Sequence, residues 1–289
     1  MAGFKNLKSL VDAYDAGQFK LTSWRKQPTQ TTASGIWFDL SMSPGNPVPN
    51  YYAATPLESK VLARTTDYGI DHGGPVSPKT KHLKQIMAQT VTATAVPLPM
   101  ILCDYLLYYP FVDMSVAGGE FQPMVQNAAL TRYTDGVGVR IMAVEVASQI
   151  GGAQFYVTYT NSDGVAGRVT PTATCNTQVV NGTIITSAPA TAGSIGPFMG
   201  LQGADKGVQS IDGVTFLGAG DVGLITLVLV KPLANHLIYD ITAPAERDFC
   251  IDFPSMPRIY DDAYLNFICY PTGTLANAPI YGTAEFVWN

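Results

Sequence analysis

Charge is scarce in this chain of 289 residues: Asp, Glu, Lys and Arg together make up 13%, about half the share usual for a soluble globular protein. A surface so poor in charge is covered by Thr, Ser, Asn, Gln and Gly, or is buried against other subunits. Histidine is scarcer still. His72, His82 and His236 make no paired metal motif. The four cysteines (Cys103, Cys175, Cys250 and Cys269) follow no metal or redox spacing and read as buried free thiols. The longest nearly uninterrupted apolar run, Val222 to Val230, is too short to span a bilayer as a helix. The start, MAGFKNLKSLVDAYDAGQF, has no apolar core of signal-peptide length and carries acids, so a chain made and folded in a cytosol is expected. No serine or cysteine sits in a GxSxG elbow. Long helices do not alternate with the strand-like runs, which argues against a doubly wound α/β fold.

What is present changes along the chain. Residues 1–90 hold ten Lys/Arg against six Asp/Glu, whereas 91–289 hold seven against sixteen. A mildly basic first third is too weak a signal for nucleic acid, and ordinary scatter of surface charge accounts for it. Phe4, Leu7, Leu10, Val11 and Tyr14 recur at helical spacing, with Gly17 placed to end a helix. Residues 18–57 are rich in Pro, Thr, Ser and aromatics. Their centre, WFDLSMSPGNPVPNYY (37–52), reads as an extended arm anchored by Trp37, Phe38, Tyr51 and Tyr52 and stiffened by Pro44, Pro47 and Pro49. A short helix is predicted over 78–89, capped by Ser77, opened by Pro78, with Leu83, Ile86 and Met87 as its apolar face. From residue 91 the pattern is that of strands: 91–102, 138–147, 155–159, 165–172, 179–187, 212–217, 223–231, 236–241, 264–270 and 281–288, punctuated by turn residues. The expectation is a mainly β protein, a β-sandwich or jelly-roll-like body over 91–289, with the N-terminal helix, extended Pro/aromatic arm and short helix in 1–90.

Several stretches invite a chemical reading. Gly218-Ala-Gly220-Asp-Val-Gly223 has the spacing of a dinucleotide fingerprint, yet LITLVLV follows where a pyrophosphate needs a helix N-terminus. Two strands joined by a glycine-rich turn account for it, and no cofactor is expected. His72, in DYGIDHGGP, could act as a general base oriented by Asp67 or Asp71; a turn built on Gly69, Gly73, Gly74 and Pro75 explains the same residues. Acids gather at Glu246, Asp248, Asp252, Asp261 and Asp262, where a carboxylate pair could hydrolyse a glycosidic bond. Loops around a short strand, with Arg247 and Arg258 pairing the acids, are the plainer account, and the DxDxDG spacing of a calcium loop is missing. In CDYLLYYPFVDM (103–114), Tyr105, Tyr108, Tyr109 and Phe111 could stack on sugars or bases. The run contains no basic residue, which argues against nucleic acid. Core packing or an interface belt fits it better.

With a terminal helix, a sparsely charged Pro/aromatic arm and a Thr/Gly-rich β body, the chain resembles virion structural proteins of tailed bacteriophages. It is most similar to the auxiliary decoration or cement proteins that cover a capsid lattice. GIWFDLSMSPGNPVPNYYAATPLESKVLA (35–63) and LNFICYPTGTLANAPIYGTAEFVWN (265–289) carry that resemblance. It departs from the usual tailed-phage major capsid protein in lacking a long charged spine helix, and its β content also suits a jelly-roll capsid protein. The resemblance implies a non-enzymatic virion protein, made in the host cytoplasm, that stabilises a capsid shell. As partners it implies copies of itself, a trimer favoured, and the major capsid protein or other virion proteins. The interface expected from the residues is the terminal helix and the arm: Phe4, Leu7, Leu10, Tyr14, Trp37, Phe38, Tyr51 and Tyr52. No membrane, nucleic acid, metal or cofactor is expected. The competing class is a carbohydrate-binding or polysaccharide-degrading tail protein, using the 246–262 carboxylates and the 103–111 tyrosines.

Overall fold

The computed structural model describes residues 4–116, 118–150, 152–175, 180–187, 196–218, 221–253 and 255–289. Within them the chain is mainly β. Helix α1 (Leu7–Asp15) opens it. Asn6 caps this helix: its side chain accepts the Ser9 amide at 2.9 Å, and its own amide donates to Ser9 Oγ at 3.3 Å. Gly17, at φ 67°, closes the other end. Ten strands of four residues or more follow among the described residues: β1 (Phe19–Lys26), β2 (Lys81–Thr90), β3 (Leu98–Asp113), β4 (Arg140–Ala147), β5 (Gln154–Asn161), β6 (Val208–Leu217), β7 (Leu224–Ile238), β8 (Ala245–Asp248), β9 (Leu265–Cys269) and β10 (Ile280–Trp288).

They form three antiparallel sheets. The first has the order β8-β2-β10-β1, the second β9-β3-β7-β4, and the third sets β5 against β6, with short strands at their margins. The second sheet is central because β3 and β7, at 16 and 15 residues, are long enough to serve two neighbours. Tyr105 pairs with Val230 but Leu107 with Leu229, so Leu106 is an extra residue that turns the side-chain alternation over. Leu98, Met100 and Leu102 therefore share a face with Leu107 and Tyr109. The first three pack with Leu83, Ile86 and Phe286 of the first sheet. The other two pack with Phe155, Val157 and Phe216 of the third. The opposite face, with Cys103, Tyr105 and Tyr108, is covered by Met42, Tyr52 and Leu62 from the segment before β2. Burying each such side chain stabilises the fold by roughly 1.5–3 kcal/mol before the entropy of ordering is charged against it.

The mainly β class read from the sequence is the class observed. The runs at 138–147, 155–159, 212–217, 264–270 and 281–288 are β4, β5, β6, β9 and β10, and the two runs at 223–231 and 236–241 merge in β7. The 91–102 run is a strand only from Leu98, and that at 165–172 only at Arg168–Val169. Residue 179 lies outside the described residues, and 180–187 makes turns with isolated bridges at Thr183 and Ile184.

Two expectations are corrected. The helix over 78–89 is strand β2. Gln85 pairs with Glu285 but Leu83 with Phe286, so Lys84 is a bulge residue that places Leu83 and Ile86, three apart like a helical pair, on one face of a strand. The Pro/aromatic stretch over 18–57, whose centre at 37–52 reads as an arm, is not free of the body. Its first residues form β1, and β10 from the C-terminal end lies between β1 and β2. The boundary placed near residue 90 thus runs through a single sheet.

Candidate interaction site

β7 is paired unequally along its two edges. β3 accompanies it from Leu224 to Ile238, while β4 covers the other edge only from Leu224 to Val230. The chain that feeds β4 turns away at Gly138, whose φ is 74°. That positive φ favours glycine, and a Cβ there would also displace the Lys231 ammonium, 2.2 Å from its position. Among the described residues no strand and no other backbone hydrogen bond reaches the outer edge of 231–238. Pro232 has no N–H to offer, which leaves Leu233–Ile238 as an edge able to accept a strand. Two hollows border it. One, of about 660 Å³, is walled by Leu233, Phe249, Phe253, Pro257 and Arg258; the other, of about 370 Å³, by Ile101, Leu237, Tyr239 and Arg247. Asn235 lines both.

Three cations stand around this edge, each against an aromatic ring. Arg258 lies 4.4 Å from the centroid of Tyr260, Arg247 lies 5.3 Å from that of Phe253, and Lys231 lies 5.4 Å from that of Tyr133. Arg247 also donates to Asn235 Oδ1 at 3.1 Å, and Lys231 to the Val137 carbonyl at 2.8 Å. Among the described residues none of the three has a carboxylate within ion-pair distance. Burial holds the Lys231 ammonium below its ordinary range, with Asp135 acting in the opposite direction. His236 ties β7 to β8 by donating from Nε2 to the Ala245 carbonyl at 3.2 Å; burial pushes its pKa down to about 4, so it is neutral at physiological pH.

A buried clamp fixes the loop that carries Tyr133. Arg132 donates from Nε and Nη2 to the two oxygens of Asp104 at 2.8 and 2.6 Å, and to the carbonyls of Leu62 and Tyr105 at 2.9 and 2.7 Å. Asp104 also accepts the Tyr264 amide at 3.1 Å. Both charged groups are thus paired and hydrogen-bonded, which a buried ion pair requires.

The residues expected at an interface divide. On α1, Leu10 is buried against Val287 with Phe4 and Tyr14 packed beside it, but Leu7 is 71% exposed and Val11 50%. Tyr14 stacks on Phe19 at 5.0 Å, and Phe19 and Leu21 project from the same outer side of β1, 41% and 58% exposed. The arm residues part in the same way. Tyr51 is 57% exposed, and Trp37 is half-buried against Tyr270 at 5.5 Å. Phe38 and Tyr52, however, lie in the chain's own core, which corrects their expected role as anchors on a neighbour.

The physical reason is Asp39. It is fully buried and accepts from the hydroxyls of Tyr52 and Tyr105, the latter at 2.7 Å, and from the amide and hydroxyl of Ser41 at 2.9 and 2.8 Å. Burial pushes its carboxyl above the ordinary range and these hydrogen bonds oppose that shift. Lys26, also buried, bonds the carbonyls of Ser43 and Pro47 at 3.1 and 2.7 Å. A proline-rich segment thereby becomes a wall of the core, held by polar partners remote in sequence.

The candidate chemistry resolves into structure. His72 is fully buried: Nε2 donates to the Ala263 carbonyl at 2.9 Å, and Nδ1 accepts from Lys81 Nζ at 3.0 Å. Burial, then the Lys81 charge, pushes its pKa down to about 3. Asp71 does not orient it; that carboxylate accepts the Gly73 amide and pairs with Lys20 at 3.1 Å. Tyr105, Tyr108 and Tyr109 are core residues, so they offer no platform for sugars. Four of the five acids at 246–262 have partners, though not the expected arginines: Asp248 with Lys84, Asp261 with Lys81 at 3.6 Å, Glu246 with the Gln85 side-chain amide, and Asp252 with the Asp248 backbone amide at 3.0 Å.

In the glycine-rich stretch, residues 219 and 220 lie outside the described residues, and a strand follows it, as the turn reading expects. Cys103, Cys175 and Cys269 are buried free thiols, and Cys250 is an exposed one. Among the described residues no three His, Cys, Asp or Glu side chains cluster as metal ligands, and no helix is long and apolar enough to cross a membrane. Sequence pattern does not show the β7 edge, because Lys231-Pro232 interrupts the apolar run and makes one strand read as two.

Neither a known protein family nor a curated protein matches the chain in sequence. Among solved structures, the VP2 subviral particle of infectious bursal disease virus aligns over 94% of this chain and 81% of that one, at 7% identity and a TM-score of 0.20. The Gt strain of the same virus gives 94% and 81% coverage, 8% identity and a TM-score of 0.16. The Gx strain gives 94% and 82%, 10% and 0.18. Superpositions at these scores carry no argument about fold or role.

Proposed function

We propose that the chain is a non-enzymatic virion structural protein, associated with a capsid and stabilising the shell through contacts between subunits, as a decoration or cement protein does. Its place is the virion, after synthesis in a host cytoplasm, and its partners are copies of itself, arranged as a trimer, and the major capsid protein or another virion protein. The observation that carries this reading is the outer side of the first sheet. Leu7, Val11, Phe19 and Leu21 are all more than one-third exposed there, on a helix and strand joined by a short turn. Burying such side chains in a contact is worth roughly 1.5–3 kcal/mol each, and the Tyr14–Phe19 stack sets the helix and strand residues beside one another. The low charge share of the whole chain supports the same reading. So does the commitment of His72, Asp39, Asp104, Asp248 and Asp261 to structural bonds.

Co-expression with the products of the adjoining genes, followed by pelleting of assembled particles, tests the role. The chain is expected in the particle fraction at a fixed ratio to the major shell protein. A chain left wholly in the supernatant beside assembled particles would contradict it.

A further inference from the structure

We propose that the open edge of β7 over Leu233–Ile238 accepts an extended segment of another polypeptide as an added strand, and that this segment carries carboxylate side chains. An unpaired strand edge presents alternating N–H and C=O groups, a ready template for one more strand. Folded proteins commonly blunt such edges with proline or lysine, and Lys231 and Pro232 stand at the start of this one. Beyond them six residues run without either; Leu233 is a bulge residue, and Ala234–Ile238 are laddered to β3 on their inner side. The edge is therefore held in place by β3 while no backbone partner among the described residues takes its outer groups, so little ordering is needed before a strand can pair. Six residues of strand span about 20 Å, and hollows of about 660 and 370 Å³ flank that length.

The flanks determine which strand fits. Phe249, Phe253 and Leu233 offer apolar walls to alternate side chains of an incoming segment. Arg247 and Arg258 flank the edge with no carboxylate at ion-pair distance among the described residues, and Lys231, which feels the more distant Asp135, stands at its start. An incoming strand with acids at the intervening positions pairs with these cations, whereas a basic one meets like charge. This edge is distinct from the exposed face of α1 and β1, so it supplies a second, separately testable contact. Loss of one need not remove the other.

Calorimetric titration of the full chain with a capped eight-residue peptide alternating valine and glutamate tests the proposal. Saturable binding near one peptide per chain is expected. Replacing every glutamate by lysine, or N-methylating alternate backbone amides, is each expected to weaken binding tenfold or more. The double variant Arg247→Glu/Arg258→Glu, verified as folded by circular dichroism, should lose the glutamate peptide by a similar factor. Leu7→Glu/Val11→Glu should leave peptide binding unchanged. Failure of the glutamate peptide to bind the folded wild-type chain, or equal binding by its N-methylated form, overturns the proposal. If Arg247→Glu/Arg258→Glu instead dissociates an oligomer of the chain, the edge belongs to a second copy, and the assignment to a different partner is overturned.

Discussion

Glu145 on β4 is fully buried, and among the described residues neither carboxylate oxygen has a hydrogen-bond partner. Burial pushes its pKa from the ordinary 4.5 up to about 8. Between those values the folded state holds a proton that the unfolded chain has released. Stability therefore falls as pH rises through that window, by up to about 1.4 kcal/mol per pH unit, and levels off above it. Glu145→Gln should remove this dependence. Urea midpoints measured near pH 5.5 and near pH 8 should differ less in the variant than in the wild type, and the variant should be the more stable at the higher pH. Arg132 argues in the other direction, since its charge is buried but fully partnered. Arg132→Ala strands Asp104, and a loss of about 3–5 kcal/mol is expected in denaturant unfolding. Neither environment is legible in sequence. Glu145 sits in an ordinary β-branched run, and the partner of Arg132 lies 28 residues away.

The segment 37–52 shows how an element can be read correctly in kind and wrongly in place. Its prolines and aromatics do make an irregular extended course, but Tyr52 and Phe38 turn inward because Asp39 finds Tyr105 66 residues further on. Tyr52→Ala should then destabilise the folded body by about 3 kcal/mol or more, visible as a lower denaturant midpoint, rather than weaken assembly alone. In β2 the helical signal was real spacing with another cause, since the Lys84 bulge sets Leu83 and Ile86 on one face. Bulges are set by the partner strand, so local periodicity cannot reveal them. α1 was legible because its cap, apolar stripe and terminal glycine all lie within the helix and its flanks.

At the scale of the molecule, the mainly β class followed from turn-punctuated Val/Thr/Ile runs, whereas the pairing of β10 with both β1 and β2 did not. Those contacts join the two ends of the chain, and strand order is a tertiary property. The central claim is that the apolar face of α1 and β1 is an assembly surface. Sedimentation of the purified wild-type chain beside Leu7→Glu/Val11→Glu tests it most directly. Both positions are exposed, so the double variant should keep the wild-type circular dichroism spectrum and unfolding midpoint. The wild type is expected to sediment as an oligomer, a trimer by the proposed arrangement, and the variant as a monomer. A wild type that stays monomeric across the accessible concentration range, or a variant that assembles as well as the wild type, would contradict it.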